Sequence, residues 1–273
     1  MDKILFFKKT ETVYEGAGVK LNRVFSHDEI KLTDPFLLLD HFESKNEEDY
    51  IRGFPWHPHR GIETVTYLKK GKVEHQDSLG NKGVISAGDI QWMTAGSGII
   101  HQEMPLKTKD GVKGFQLWVN LPKKYKMTHP KYRGITKKDI KIDKTKDFET
   151  VLISDKITDL SIPIVYHDLT LFKDKQYLIS TKKDYTNLIY IYEGEVSIDG
   201  NVFDSKTLIA LKESKSVELI AKSDSHFLHI SGKKIEEPIA WAGPIVMNTQ
   251  KELEIAFEEY RTGTFLKSKK SQS

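Results

Sequence analysis

Four side chains with metal-ligand chemistry occur as two pairs, each with one residue between its members. His57 and His59 form the first pair, and His101 and Glu103 form the second. Residues two apart on an extended strand point to the same side, so each segment can direct two ligands towards one point. Imidazole and carboxylate ligands suit a first-row transition metal, and iron, manganese, nickel, copper and zinc are all admissible. Calcium and magnesium are disfavoured, because they prefer oxygen ligands.

Length and composition limit the class of protein. A chain of 273 residues can form one large all-β domain or two ordinary domains. Its net charge of +3 is small for this length, so we expect neither direct nucleic-acid binding nor membrane association. The absence of cysteine leaves histidine and carboxylate as the metal ligands. No signal-peptide pattern or membrane-length apolar run is present, which predicts a cytoplasmic protein, or a nuclear one in a eukaryote.

The segments around the two ligand pairs are predicted to be short strands. Glu63–Leu68 is rich in β-branched and aromatic residues, which favour strands. Gly71, Gly80 and Gly88 follow at intervals that suit tight turns between antiparallel strands. The sequence therefore predicts a sandwich or barrel of many short strands.

One stretch near the C-terminus is typical of a helix instead. Its apolar residues fall at helical spacing between Thr249 and Tyr260. Thr249 is predicted to cap the helix, with Glu252 three residues later, and Gly263 marks its end. The lysine- and serine-rich tail after Leu266 is predicted to be disordered.

An internal repeat divides the chain. Tyr67–Val73 is echoed by Tyr190–Val196, and both segments are predicted to form a strand, a turn and a second strand. Extending this alignment towards the N-terminus places Ser180 and Lys182 where the first histidine pair stands. The second copy is therefore predicted to lack a metal site.

A change in composition separates the two copies. Between Leu121 and about Asp147 the chain contains many lysines, two prolines and few large aliphatic residues. Such a segment is typical of a connection over the protein surface. We therefore expect an N-terminal metal-binding domain at residues 1–133 and a C-terminal domain at residues 134–273, which includes the helix and the tail.

Several longer stretches resemble the pirin family of bicupins. They are Asp34–Asp40, His57–Leu68, Gly88–Gly96 and Gly243–Thr249. The resemblance implies an all-β fold of two cupin barrels, also called double-stranded β-helices or jelly rolls. It further implies that the barrels pack face to face, that only the N-terminal barrel holds a metal, and that a short helix lies at the C-terminus.

The resemblance assigns the family ligands to His57, His59, His101 and Glu103. It implies one metal ion, most often Fe2+, with Mn2+, Ni2+, Cu2+, Zn2+ or Co2+ as alternatives. Glu63 shares strand parity with the first histidine pair and stands where ordinary cupins supply a carboxylate. Because the pirin pattern favours Glu103, Glu63 is interpreted as an outer partner that orients a histidine. Glu103 is also the candidate general base.

Other side chains are weaker candidates. His41 and His75 are interpreted as surface or hydrogen-bonded structural residues. Five large side chains could line a pocket for a flat ligand or belong equally to the core: Phe54, Trp56, Trp92, Met93 and Trp118.

The resemblance is compatible with two functions. Some pirins cleave quercetin with dioxygen, which implies an oxidoreductase of the quercetin 2,3-dioxygenase type with a flavonol-like substrate and O2. Others are described as transcriptional co-regulators or as partners of metabolic enzymes, which implies a non-catalytic metal- or redox-sensing protein with a protein partner. The dioxygenase, or quercetinase, is the first hypothesis, because the four ligand positions are all retained.

Overall fold

The structure is a computed structural model that describes residues 2–155, 157 and 161–267. The predicted disordered tail lies almost entirely outside these residues. Within the described part, β-strands predominate, as predicted. No helix there is both long and apolar enough to cross a bilayer.

Short strands joined by tight turns make up the N-terminal half. In chain order they are β1 (Ile4–Lys9), β2 (Glu11–Glu15), β3 (Val19–Phe25), β4 (Phe36–Ser44), β5 (Phe54–His59), β6 (Ile62–Lys70), β7 (Lys72–Asp77), β8 (Lys82–Ser86), β9 (Ile90–Thr94), β10 (Ile99–Leu106), β11 (Val112–Asn120) and β12 (Lys131–Ile135). A four-residue helix, α1 (Ile30–Thr33), lies between β3 and β4, and short 3-10 turns occur at His27–Glu29, Glu47–Asp49 and Lys123–Tyr125.

The C-terminal half repeats this pattern and ends in a longer helix. Its strands are β13 (Ile142–Lys144), β14 (Phe148–Leu152), β15 (Ile164–Leu171), β16 (Gln176–Ile179), β17 (Tyr185–Glu193), β18 (Glu195–Ile198), β19 (Asn201–Asp204), β20 (Thr207–Leu211), β21 (Val217–Ala221), β22 (Ser225–Lys233), β23 (Ala240–Ala242) and β24 (Ile245–Met247), followed by α2 (Gln250–Arg261).

The strands form two barrels with the same order of strands. The first barrel has a seven-stranded sheet, β12-β9-β6-β11-β4-β3-β2, and a four-stranded sheet, β5-β10-β7-β8. The second barrel has the sheets β1-β20-β17-β22-β15-β14-β13 and β16-β21-β18-β19. The match covers β2–β11 and β13–β22 and fails only at one edge, where β12 follows the other strands of the first barrel but β1 precedes those of the second, so the predicted repeat covers nearly a whole barrel. The prediction of two cupin barrels is confirmed.

Each compact unit combines separate parts of the sequence. The unit of the first barrel comprises Thr12–Arg23, Leu37–Lys137 and Ile235–Ser273, and that of the second comprises Met1–Glu11, Val24–Phe36 and Lys138–Lys234. This differs from a simple division after residue 133. The N-terminal strand β1 pairs with β20 of the second barrel, and the segment containing α2 belongs to the first unit.

The C-terminal segment is held to the first barrel at the turn between β5 and β6. Gly61 lies in this turn with φ of 78°, and a Cβ placed there would meet the Val246 carbonyl oxygen at 1.9 Å. The buried Lys126 ammonium donates to the carbonyl oxygens of Gly61 and Val246, both at 2.9 Å, and to Asn120 Oδ1. Only glycine allows this close approach of two backbone segments.

A buried arginine makes the second attachment. The Arg60 guanidinium donates to the Ser97 carbonyl at 2.8 Å and to the Phe265 carbonyl at 2.8 Å, and it forms an ion pair with Glu259 at 2.7 Å. Since Arg60 is only 2% exposed, these partners offset the cost of burying its charge.

Helix α2 forms where the sequence predicts it. Thr249 caps its N-terminus in a capping box with Glu252, as predicted. Leu253 and Ala256 are buried against the first barrel, whereas Tyr260 on the predicted apolar face remains 41% exposed. The buried face of the helix is therefore narrower than the apolar spacing indicated.

The predicted surface connection after Leu121 contains ordered structure. Strand β12 pairs antiparallel with β9 and thereby extends the seven-stranded sheet of the first barrel. Lys126 in the same segment is buried. The lysine-rich composition indicated an exposed segment, so the burial of Lys126 was not predicted. Its ammonium group donates hydrogen bonds to oxygen atoms that the sequence pattern does not reveal.

Candidate metal centre

The first three predicted ligands lie on neighbouring antiparallel strands. His101 on β10 stands directly opposite His57 on β5. His59 follows two residues after His57, so it points to the same side of the sheet. The two segments therefore converge as hydrogen-bonded neighbours within one sheet rather than as strands of facing sheets.

Three imidazoles surround a common point. One ring nitrogen from each of His57, His59 and His101 lies within 4.8 Å of the other two. The ring centroids are 4.3 Å apart for His57 and His101, 4.8 Å for His57 and His59, and 5.0 Å for His59 and His101. His59 and His101 are buried, and His57 is partly exposed, so the group is accessible from the His57 side.

Backbone carbonyls fix the tautomers of two rings. Nδ1 of His57 lies 2.8 Å from the Pro55 carbonyl oxygen, and Nδ1 of His59 lies 3.1 Å from that of Pro244. Since a carbonyl can only accept, both Nδ1 atoms carry hydrogen, and the neutral form of such a ring presents a lone pair on Nε2. The two Nε2 atoms are 3.0 Å apart. Two lone pairs at this distance repel each other, and a cation between them would relieve the repulsion.

His101 completes the donor set. Both of its ring nitrogens are buried without a hydrogen-bond partner among the described residues. Burial, together with the neighbouring imidazoles, lowers the pKa of His101 and of His59 well below the usual value. Both rings are therefore neutral at physiological pH, which is the form that binds a metal. These donors fit a borderline transition-metal ion.

Glu103 lies beside this group but outside the set of mutually close ligand atoms. It shares the buried face of β10 with His101 and is 4% exposed. Its Oε1 accepts from Thr66 Oγ1 at 3.1 Å, and its Oε2 accepts from Gln116 Nε2 at 2.8 Å. The pairing of β10 with β5 shifts register between His101 and Glu103. The pairing of β10 with β7 stays regular through these residues, so the extra residue lies on β5.

Glu63 is held by the seven-stranded sheet. Its carboxylate accepts from Trp92 Nε1 at 3.1 Å and from Thr94 Oγ1 at 2.8 Å, and both donors lie on β9. Neither donor is a histidine. These contacts tie Glu63 to its neighbouring strand, and its role as an outer partner that orients a histidine stays a prediction.

The five large candidate side chains have different environments. Trp92 and Met93 are fully buried in the core, and Trp56 is 50% exposed. Phe54 packs against an apolar cluster beside Glu103. Trp118 contacts the candidate site most directly, since its ring packs edge-on against His59 with centroids 4.9 Å apart.

A small cavity lies next to Glu103. Its volume of about 20 Å3 is enough for roughly one water molecule. Thr66 and Gln116 line it together with apolar side chains, including Phe54 and Val112. This space is too small for a molecule larger than water, and His57 is the partly exposed member of the histidine group.

Two other histidines in the first barrel serve the structure. His75 is fully buried, and its ring nitrogens lie 3.1 Å from Asp77 Oδ2 and 2.9 Å from Gln91 Nε2. His41 is also fully buried, and its ring packs against Phe115 with centroids 4.7 Å apart. The surface alternative is wrong for both residues, because both are fully buried, and their contacts agree with a structural role.

The second barrel has a different interior at the matching strands. Ser180 and Lys182, which the sequence repeat aligns with the first histidine pair, lie beyond the end of β16 and are exposed. The register of β16 with β21 places Tyr177 and Ile179 at the corresponding positions instead. Ile179, Val217 and Leu219 on β16 and β21 are buried in its apolar core. Among the described residues, the three-histidine group of the first barrel is the only group of three metal-binding side chains.

Two residues near the site were not singled out from the sequence. Thr66 and Gln116 are direct cross-strand neighbours on β6 and β11. Gln116 also shares its side of β11 with Trp118, two residues later. The two-residue spacing from Trp118 could therefore have predicted that Gln116 lies near the site. The Pro244 carbonyl is a backbone group, so no side chain in the sequence could have predicted its contact.

Comparisons with known proteins agree with this architecture. Residues 18–119 match the pirin family, and residues 166–266 match the pirin C-terminal cupin domain. A pirin-like protein of Caulobacter vibrioides is 36% identical over 271 residues, which cover 96% of this chain and 98% of the relative.

Two solved structures extend the comparison. The crystal structure of a quercetin 2,3-dioxygenase from Acinetobacter baumannii is 34% identical and has a TM-score of 0.88, covering 97% of this chain and 98% of that protein. A bacterial pirin from Escherichia coli, solved in complex with nickel(II), shares the fold at 24% identity and a TM-score of 0.66, over 84% of this chain and 98% of that protein. With both barrels matched and the histidine group in the first, this chain belongs to the pirin family of bicupins.

Proposed function

We propose that the chain is a metal-dependent dioxygenase of the quercetin 2,3-dioxygenase type, which opens a flavonol ring with O2. The three converging imidazoles of the first barrel carry the proposal. The similarity to the Acinetobacter baumannii enzyme supports it. A cytoplasmic location is proposed with it.

The donor set supports one transition-metal ion, and Fe2+ is the first choice. His57, His59 and His101 would hold it through neutral nitrogens, and Glu103 would supply the fourth ligand. Bound iron would provide Lewis acidity and exchangeable positions for substrate and O2. The metals Mn2+, Ni2+, Cu2+, Zn2+ and Co2+ suit the same donors, so metal content has to be measured.

Glu103 is also proposed as the proton acceptor for the flavonol hydroxyl. Each of its oxygens accepts one hydrogen bond, from Thr66 or Gln116. An ionised carboxylate has about four lone-pair positions, so acceptor capacity remains for a substrate proton. Its burial excludes bulk water from the transfer, while the partly exposed His57 marks the side of substrate entry.

Elemental analysis and oxygen uptake test this function together. Natively purified protein is expected to hold about one iron-group ion and to consume O2 when a flavonol such as quercetin is added. Chelation and His59→Ala should abolish the uptake. Equal uptake by metal-free protein would refute the proposal.

A second candidate is a metal- or redox-sensing regulator that binds a protein partner. The observation that favours it is the second barrel, which keeps the strand order except at one edge but presents apolar side chains at the matching interior positions. Affinity capture with protein in the Fe2+ and Fe3+ states would test it. A partner retained in only one state would favour regulation, and identical partners in both states and without metal would refute it.

A further inference from the structure

Thr66 and Gln116 together hold the Glu103 carboxylate. They face each other on the paired strands β6 and β11. Thr66 Oγ1 donates to one carboxylate oxygen at 3.1 Å, and Gln116 Nε2 donates to the other at 2.8 Å. With both oxygens engaged from two different strands, the carboxylate has one preferred orientation.

Trp118 fixes the Gln116 amide in the orientation that this contact requires. The indole Nε1 of Trp118 lies 3.2 Å from Gln116 Oε1. Because an indole N–H can only donate, the amide oxygen must face Trp118, and the amide NH2 must face Glu103. The ring of Trp118 also packs against His59. One side chain therefore contacts both a histidine of the site and the residue that orients Glu103.

The hydrogen bonds leave the carboxylate able to bind a cation. Two acceptor positions are used, and about two of the four on an ionised carboxylate remain. Glu103 is 4% exposed, so water does not compete freely for these positions. A carboxylate fixed in this way loses little further conformational entropy when it binds a metal.

We infer that Thr66 and Gln116 are positioning residues that orient Glu103 as a metal ligand, and that Trp118 acts through the Gln116 amide. The inference rests on the proposed ligand role of Glu103. It assigns to Thr66 and Gln116 the role of hydrogen-bonding partners that orient a ligand and raise metal affinity.

Metal affinity tests this directly, without turnover. The probe is Co2+, titrated into metal-free protein against a competing chelator, with its visible absorption spectrum as a second readout. Gln116→Leu is expected to weaken Co2+ binding about 10- to 100-fold. Thr66→Val should weaken it about tenfold, and Thr66→Ser, which keeps the hydroxyl, should remain within about twofold of the parent. Each weakened variant should also show an altered Co2+ spectrum.

A double-mutant cycle separates positioning from packing. Glu103→Gln is expected to weaken Co2+ binding, and adding Gln116→Leu to it should cause no further loss if Gln116 acts through Glu103. An undiminished Gln116→Leu effect in the Glu103→Gln background would overturn the inference. So would unchanged affinity in Gln116→Leu when Glu103→Gln alone is weakened.

The proposed ligand role has its own distinct outcome. Unchanged Co2+ affinity in Glu103→Gln would refute Glu103 as a ligand and overturn the inference with it, whatever the result for Gln116→Leu. Thr150→Val is the matched control, because Thr150 is a buried threonine in the second barrel whose hydroxyl has no hydrogen-bond partner among the described residues. It should leave Co2+ affinity and spectrum unchanged.

Trp118→Phe tests whether Trp118 acts through the Gln116 amide. Phenylalanine keeps an aromatic ring against His59 but cannot donate to Gln116. We expect about three- to tenfold weaker Co2+ binding, with the loss absent in a Gln116→Leu background. A persistent loss in that background would show that Trp118 acts through His59 and would overturn its assigned role.

Discussion

The two barrels of this pirin share their strand order except at one edge, yet their interiors differ. At the end of β5 the first barrel carries His57 and His59, which face His101 on β10. The matching strands of the second barrel contribute Ile179, Val217 and Leu219 to an apolar core. The fold therefore does not require a metal, since one copy forms without its ligands.

The difference has an energetic side as well. Apolar residues in the second barrel gain stability when they leave water. Buried imidazoles with unsatisfied nitrogens, such as His101, lose hydration without regaining hydrogen bonds. Burying these imidazoles therefore costs the first barrel free energy, and binding of a metal ion would compensate this cost.

The largest effect is expected when a proposed metal ligand of the first barrel is removed. The comparison is with a second variant that removes the residue which the sequence repeat aligns with it. His59→Ala should lower metal affinity by at least about a thousandfold, roughly 4 kcal/mol. Lys182→Ala, at the exposed position that the sequence repeat aligns with His59, should leave affinity unchanged. Elemental analysis after dialysis against a chelator series measures both. Equal metal loss in the two variants would remove the functional distinction between the barrels.

The second prediction concerns Lys126, whose hydrogen bonds hold the C-terminal segment to the first barrel. Lys126→Met should destabilise the protein by about 3 kcal/mol, because the Gly61 and Val246 carbonyls lose their shared donor. Urea denaturation followed by near-UV absorption would measure this change. The exposed Lys215→Met is the control and should change the free energy of unfolding by less than about 0.5 kcal/mol. Similar midpoints for both variants would contradict a structural role for Lys126.

The third prediction concerns the destabilising effect of partly buried His229 in the second barrel at low pH. Burial, with a smaller contribution from His167, lowers the pKa of His229 to about 3. The unfolded chain therefore binds a proton near pH 6.5 that the folded chain does not, so stability falls as pH decreases from 6.5 towards 3. Between pH 7 and pH 5 this contributes about 2 kcal/mol.

His229→Phe should remove that contribution. The expected result is a smaller decrease in the free energy of unfolding between pH 7 and pH 5 than in the parent, measured by urea denaturation. His226→Phe, on the opposite side of β22, is the matched control. An unchanged pH dependence in His229→Phe would show that His229 is not the titrating group.

The smallest expected effect concerns the helix that belongs to the first unit. Thr249→Ala removes the side-chain acceptor for the Glu252 backbone N–H and should cost about 1 kcal/mol. Thr249→Ser keeps the acceptor and serves as the control. Thermal unfolding should place Thr249→Ser near the parent and Thr249→Ala a few degrees lower. Identical melting temperatures would show that the cap does not limit stability.

Local signals in the sequence predicted local structure well. Two features involve residues that are close in the sequence: the His57 and His59 spacing, and the pairing of Thr249 with Glu252. Strand and helix geometry were therefore enough to predict them. Two barrels followed from the repeat and the family resemblance. The predicted ligand Glu103 is still a proposal, because its orientation depends on side chains from other strands.

Long-range contacts were the part that the sequence did not reveal. The alternation of side chains between the two faces of β1 would be the same in either barrel. The local sequence therefore did not predict that β1 pairs with β20. The Pro244 carbonyl that binds His59 is a backbone group and carries no residue-type signal. For the same reason, the close approach of Val246 to Gly61 could be read only from the structure.

The contact between His59 and Pro244 has a consequence for biosynthesis. The ribosome adds residues in order, and 185 positions separate these two partners. While the chain is being made, the three histidines have already emerged, but the carbonyl that fixes the His59 tautomer has not. The finished geometry of the site is thus available only after the chain has been made as far as Pro244, so a metal bound in that geometry would be loaded after translation of the second barrel.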